Sequence, residues 1–112
     1  MNDRLPASVI ASALIRRVHD SGGFAAVRAR GGAGGGAFLL IATARGGATR
    51  LFERGIGPSG ASQPIDSTPP DASPDIVEAY WRKRRARDPD LWVIELDSPD
   101  AERFAAETLR CR

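Results

Sequence analysis

Three carboxylates stand close together late in the chain: Asp88, Asp90 and Glu95, within Asp88-Pro89-Asp90-Leu91-Trp92-Val93-Ile94-Glu95-Leu96-Asp97. Grouped acids can hold a divalent cation or share acid–base work. A Pro-Asp pair followed by glutamate also opens the Pro-Asp…Glu-x-Lys pattern of metal-dependent nucleases. That pattern breaks at its last position, where Asp97 stands in place of lysine; the chain's one lysine is Lys83. We therefore read Asp88 and Asp90 as turn formers, whose short side chains bond nearby backbone, and Glu95 as an outward acid. A small metal-dependent hydrolase using Asp88, Asp90 and Glu95 stays open as an alternative, but no metal, cofactor or catalytic residue is assigned.

The other concentration of polar chemistry is basic. Arg82, Lys83, Arg84, Arg85 and Arg87 follow Tyr80-Trp81 directly. On a helical wheel Arg84 and Arg87 continue the apolar side made by Ile76, Val77, Tyr80 and Trp81. They must extend their heads to water or pair with acids such as Asp88, Asp90 or Glu95. Arginine and aromatic side chains are enriched at binding surfaces. Trp81, Arg84, Arg87, Asp88, Asp90 and Glu95 thus form the candidate binding corner of a non-enzymatic interaction module, suited to a protein or an anionic ligand. Arg82, Lys83 and Arg85 turn elsewhere and give a weaker alternative, nucleic-acid binding. A net charge of only +2 and the lack of any nucleic-acid motif oppose it.

Other reactive residues read as bland. His19, the single histidine, falls in the last turn of a helix. Cys111 is a lone cysteine and makes neither an internal disulfide nor a metal site. Gly31-Gly32-Ala33-Gly34-Gly35-Gly36 has the composition of a phosphate cradle. It leads into a β-like run rather than a helix, and no Lys-Ser/Thr pair follows, so a floppy hairpin loop is expected.

The positioning elements follow from periodicity. Leu91 to Leu96 alternates as Trp92, Ile94, Leu96 against Leu91, Val93, Glu95. A strand apolar on nearly both sides belongs inside a sheet covered on both faces. Pro89 ends the helix before it. Residues 6–20 read as a first helix with Val9, Ile10, Ala13, Leu14 and Val18 inward, stopped by Gly22-Gly23. Phe24 to Arg30, Ala37 to Thr43 and Ala48 to Arg54 read as strands, the last a charged edge after an Arg45-Gly46-Gly47 turn. Residues 55–72, with Pro58, Pro64, Pro69 and Pro70, read as a structureless excursion, either a lid or idle. Ser73-Pro74-Asp75 and Ser98-Pro99-Asp100 each start a helix, running to about Arg87 and about Leu109.

A chain of 112 residues with 42% apolar content holds one domain and one thin core. All but one of its 16 basic residues are arginine, the mark of a GC-rich genome more than of a chemical need. No segment has the length of a membrane span. Leu5 to Ile15 lacks the flanks of a signal peptide. With no cysteine framework, the cytoplasm is the expected compartment.

Two blocks together, Leu14-Ile15-Arg16-Arg17-Val18 with Gly22-Gly23-Phe24-Ala25, and Asp88-Pro89-Asp90-Leu91-Trp92-Val93-Ile94-Glu95, resemble a small alphaproteobacterial family defined as domain of unknown function 1491. The resemblance implies a compact α/β domain in a cytoplasmic bacterial protein. It implies no activity, cofactor, partner or site residue. The expected fold is a single α/β (α+β-like) domain over residues 1–112: a four-stranded, mainly antiparallel sheet with helices on both faces. Its first three strands form a meander and the fourth lies beside the first.

Overall fold

The computed structural model describes residues 5–44 and 46–110. Cys111 and the Arg45 of the expected turn lie outside them. The elements run α1 (Ala7–Asp20), β1 (Phe24–Ala29), β2 (Phe38–Thr43), β3 (Thr49–Ile56), β4 (Ser62–Asp66), α2 (Pro74–Arg87), β5 (Trp92–Asp97) and α3 (Ala101–Arg110). The strands make one sheet in the order β1-β5-β2-β3-β4. β5 runs parallel to β2, and every other neighbouring pair is antiparallel.

Alternation along the strands sorts apolar side chains to two faces. Phe38, Leu40, Ala42, Trp92, Ile94 and Leu96 pack under α1 and α3. Leu39, Ile41, Leu51, Leu91 and Val93 pack under α2, which contributes Val77 and Trp81. Leu91 is 0% and Trp92 1% exposed, so the β5 segment is sandwiched between helical layers, as its sequence requires. β2 lies at the centre of the sheet, also as expected.

The sheet has five strands rather than four. The extra one, β4, comes from the proline-rich stretch read as structureless. Pro64 disguised it, because proline cannot donate to a ladder; an edge strand tolerates it, and β4 is an edge. The β3–β4 hairpin closes through Gly57 N–H to Ala61 O (2.9 Å), with Gly60 at a φ of 85°. β3 is consequently interior, and its charges are not edge guards: Arg54 Nε donates to the Leu109 carbonyl oxygen at the end of α3 (2.9 Å), and Glu53 reaches α2.

The first strands do not form a meander either. β5 inserts between β1 and β2, so the glycine stretch 31–36 must cross the start of β5. It is packed there rather than floppy. Gly32 N–H donates to Asp90 O (3.0 Å), Trp92 N–H to Ala37 O (2.8 Å) and Trp92 Nε1 to Gly32 O (2.7 Å). A Cβ at Gly31 or Gly36 would fall closer than 3.0 Å to the Asp90 carbonyl oxygen. Glycine is required by this close backbone approach. The same loop caps α1: Ala7 and Ser8 donate to the carbonyls of Gly34 and Ala33. They are two of the four amides a helix start leaves without partners.

Helix limits agree closely with expectation, but two inward stripes shift. In α1 the buried residues are Ala7, Ile10, Ala11, Leu14 and Val18. Val9 and Ala13 face out, since Ala7 and Ala11 take the inward places beside Ile10, Leu14 and Val18. In α2, Ile76 is exposed and only Val77 and Trp81 are buried. α3 starts as expected, with Ser98 Oγ accepting the Asp100 amide (3.1 Å).

Candidate functional site

Among the described residues α2 is the lone helix on its face, and it leaves the far ends of β2 and β5 uncovered. A cavity of about 150 Å³ opens there, walled by Arg28, Ile41, Thr43, Glu78, Trp81 and Glu95 among others. It sits at the C-terminal ends of the two parallel strands, where open α/β sheets commonly bind ligands.

Arg28 reaches this face by ordinary alternation along β1, two residues after Ala26, which pairs with Glu95. Val27 pairs with Ile94 and Ala29 with Val93, so two residues occupy one step of the ladder. The bulge brings Ala29 to the same face, where it packs against the cluster under α2. The Arg28 guanidinium spans Glu78 (3.0 Å) and Glu95 (3.2 Å) and lies 5.7 Å from the Trp81 ring centroid. Arg82, one turn after Glu78, pairs with it at 2.7 Å and lies 4.9 Å from the same ring. Hydrogen bonds from Arg82 and then Arg28 hold the Glu78 carboxyl below the usual glutamate range. The four charges form a connected roof beside the indole. At 36–38% side-chain exposure for Arg28, Glu78 and Glu95, these pairs add little stability. Their effect is to order the cavity rim.

Below the rim, Trp81 is 5% exposed, and its Nε1 has no hydrogen-bond partner among the described residues. Buried indole N–H groups normally find an acceptor, and one left without costs about 1–3 kcal/mol. Thr43 Oγ1 and Thr49 Oγ1, 3.0 Å apart, complete the polar lining.

The six residues expected to share one corner do not converge. Trp81 and Glu95 line the cavity. Arg84 pairs with Glu53 instead, through Nε (3.0 Å) and Nη2 (2.5 Å). Tyr80 Oη donates to the same carboxylate (2.7 Å). Burial raises the Glu53 pKa, but hydrogen bonds from Arg84 and Tyr80 outweigh it and hold the carboxyl below its ordinary value. The hydrogen bond to Glu53 pushes Arg84 up. For Tyr80, burial and then the bond to Glu53 raise the phenol. This cluster braces α2 to β3.

Asp88 makes the turn anticipated for it: its Oδ1 accepts the Asp90 amide (3.2 Å), and its carbonyl accepts Leu91 N–H (3.0 Å). Asp90 serves through its backbone carbonyl under the glycine loop. Arg87 is exposed on the last turn of α2. Asp88, Asp90 and Glu95 do not meet, since Asp90 and Glu95 lie five residues apart on extended chain rising about 3.3 Å per residue. No group of three potential metal ligands occurs among the described residues.

Of the outward basic residues, Arg85 is spent on the carbonyls of Leu91 (3.0 Å) and Arg30 (2.6 Å), and Arg82 on Glu78. His19 Nε2 lies 3.2 Å from the Ala25 amide nitrogen and ties the end of α1 to β1.

Sequence reading missed Arg28 and Glu78. The Glu78–Arg82 spacing of four was visible as a helical pair. Arg28 gave no signal, because its partners Glu78 and Glu95 lie 50 and 67 positions away along the chain. No helix of the described residues is long and apolar enough to cross a membrane.

No curated protein matches the chain. Among solved structures, a crystal structure of a DUF1491 family protein from Caulobacter crescentus CB15 is 31% identical, with a TM-score of 0.79 over 90% of this chain and 94% of that one. An NMR structure of a DUF1491 family protein from the same organism is 32% identical (TM-score 0.75; 89% and 91% covered). A solution structure of a protein from A. tumefaciens is 28% identical (TM-score 0.67; 85% and 86% covered). The model of the family described as "Protein of unknown function (DUF1491)" matches residues 5–106, and the chain belongs to that family.

Proposed function

We propose that the chain is a small non-enzymatic binding module whose site is the cavity beside α2. The carrying observation is the cavity at the C-terminal ends of β2 and β5, with Trp81 in its wall and charges of both signs on its rim. Apolar floor residues with a few convergent polar groups are the usual make-up of a small-molecule site. The expected corner thus moves: Trp81 and Glu95 remain, Arg28 and Glu78 join them, Arg84, Asp88 and Asp90 serve the scaffold, and Arg87 stays exposed on the last turn of α2. In this reading the module works in the cytoplasm, in keeping with a sequence lacking a cysteine framework.

NMR tests this directly. The chain's two tryptophans give two indole N–H signals, of which that of Trp92 is bonded to Gly32. A fragment library spanning both charge signs should contain members that move the Trp81 signal and leave that of Trp92 in place. Trp81→Phe should remove the response while the backbone spectrum persists. A library in which no member moves the Trp81 signal overturns the reading.

A further inference from the structure

We infer that His19 guards the free edge of β1 against pairing with a second copy of this chain. β1 and β4 are the two outer strands of the sheet. An outer strand presents unpaired amides and carbonyls, and it invites strand addition unless something blunts it. β4 is blunted by Pro64, which has no N–H to give. β1 carries no proline and a single charge, Arg28. Phe24 and Val27 stand 58% and 39% exposed on it. By composition β1 is the vulnerable edge.

Its protection comes from the helix before it. His19 Nε2 lies 3.2 Å from the Ala25 amide nitrogen and 3.3 Å from the Ala25 carbonyl oxygen. A strand residue turns both of these groups to the same neighbour. β5 lies on the other side of β1, so the imidazole stands where a further strand would pair. A ring nitrogen accepts from the amide when bare and donates to the carbonyl when protonated. The ring fills the place in both states. The Phe24 ring lies against it, 6.2 Å between centroids.

The excluded occupant is a second copy because β1 complements itself. A two-fold axis at Ala26 sets the strand antiparallel to its copy, with Ala25 opposite Val27 and Phe24 opposite Arg28. Val27, two residues after Ala25, turns its amide and carbonyl outward by the same alternation. Each Ala25–Val27 step then makes a hydrogen-bonded pair. Phe24 meets an arginine rather than a like charge, and each Arg28 brings its own counter-ions, Glu78 and Glu95. Every backbone bond of this seam has an Ala25 at one end. One imidazole per copy therefore blocks the whole seam.

Size-exclusion chromatography with light scattering tests the guard. His19→Ala should double the apparent mass of the native chain while keeping a folded amide spectrum. His19→Gln, whose amide can accept from and donate to the same backbone groups, should keep the native mass. Adding Val27→Pro to His19→Ala takes a donor from the seam, at an edge where proline is tolerated, and should restore the native mass. A folded His19→Ala chain of native mass, or a double variant that stays doubled, overturns the inference. Hydrogen exchange on the native chain needs no variant. The Ala25 amide should exchange about tenfold more slowly than the Val27 amide on the same edge, the factor for one ordinary hydrogen bond. Equal rates would show that the ring leaves the edge open, and would overturn it as well.

Discussion

The two faces of the sheet are built from the same alternating strands yet finish differently. Under α1 and α3, Trp92 is 1% exposed and gives its indole N–H to Gly32 O at 2.7 Å. Under α2, Trp81 is 5% exposed and its indole N–H has no partner among the described residues. One face has two helices and a glycine loop closing its edge. The other has one helix, a roof of ion pairs and a cavity. The contrast teaches that stability and candidate function are divided between the faces. The closed side leaves no polar group of Trp92 unanswered, and on the open side the Trp81 indole N–H is buried without a partner among the described residues.

Replacing the two tryptophans is the strongest way to break this contrast. Trp92→Ala should cost about 3–5 kcal/mol in denaturant unfolding, the range for a large buried aromatic. Trp92→Phe should still cost about 1–3 kcal/mol because Gly32 O loses its donor. Trp81→Phe, which removes an unpaired donor, should be close to neutral or stabilising. Equal losses from the two phenylalanine changes would erase the distinction between the faces.

Next in size is the glycine loop. Gly36→Ala sets a Cβ against the Asp90 carbonyl oxygen and should cost about 1–3 kcal/mol, as overpacking does. Gly35→Ala, with nothing within 4 Å of the new Cβ, should be tolerated far better. Thermal melts of both variants measure the difference. Matching melts would mean that the loop does not brace the start of β5.

A smaller effect is expected from pH. The folded Glu53 carboxyl lies below its ordinary value of 4.5. The folded state therefore binds its proton less readily than the unfolded one. The stabilisation is fully present above about pH 4.5 and disappears as acid carries the solution down through the folded value. Glu53→Gln should flatten the acid limb of the stability–pH curve. An unchanged limb would show that the brace between α2 and β3 contributes nothing. The smallest effect belongs to Arg82→Ala on the exposed side of α2. It should leave the unfolding midpoint unchanged within error, while moving the Trp81 indole signal through loss of the cation near its ring.

Much of the fold was legible because the relevant signals are local. Five apolar residues in six, flanked by Pro89 and Asp97, mark a doubly buried strand wherever that strand ends up. Ser73-Pro74 and Ser98-Pro99 mark helix starts by the backbone geometry that proline imposes. The candidate site was only half legible. Trp81 and Glu95 could be picked by type, but the arginine that joins them sits 67 positions from Glu95 along the chain. Arg84 looked like a partner for nearby acids and found Glu53, 31 positions away. Pro64 argued against a strand, and only the edge position of β4 makes one acceptable there.

By itself, then, the sequence determined the three helices, the buried β5 segment and the need for cover on both sides, since periodicity and backbone restrictions act over a few residues. The tertiary structure alone decided that β5 enters between β1 and β2, that the glycines answer to Asp90 and Trp92, and that Arg28 meets Glu78, Glu95 and Trp81. Strand order and bulges depend on which distant backbone supplies the hydrogen bonds. That choice is made by the whole sheet at once and leaves no mark on any single stretch of residues.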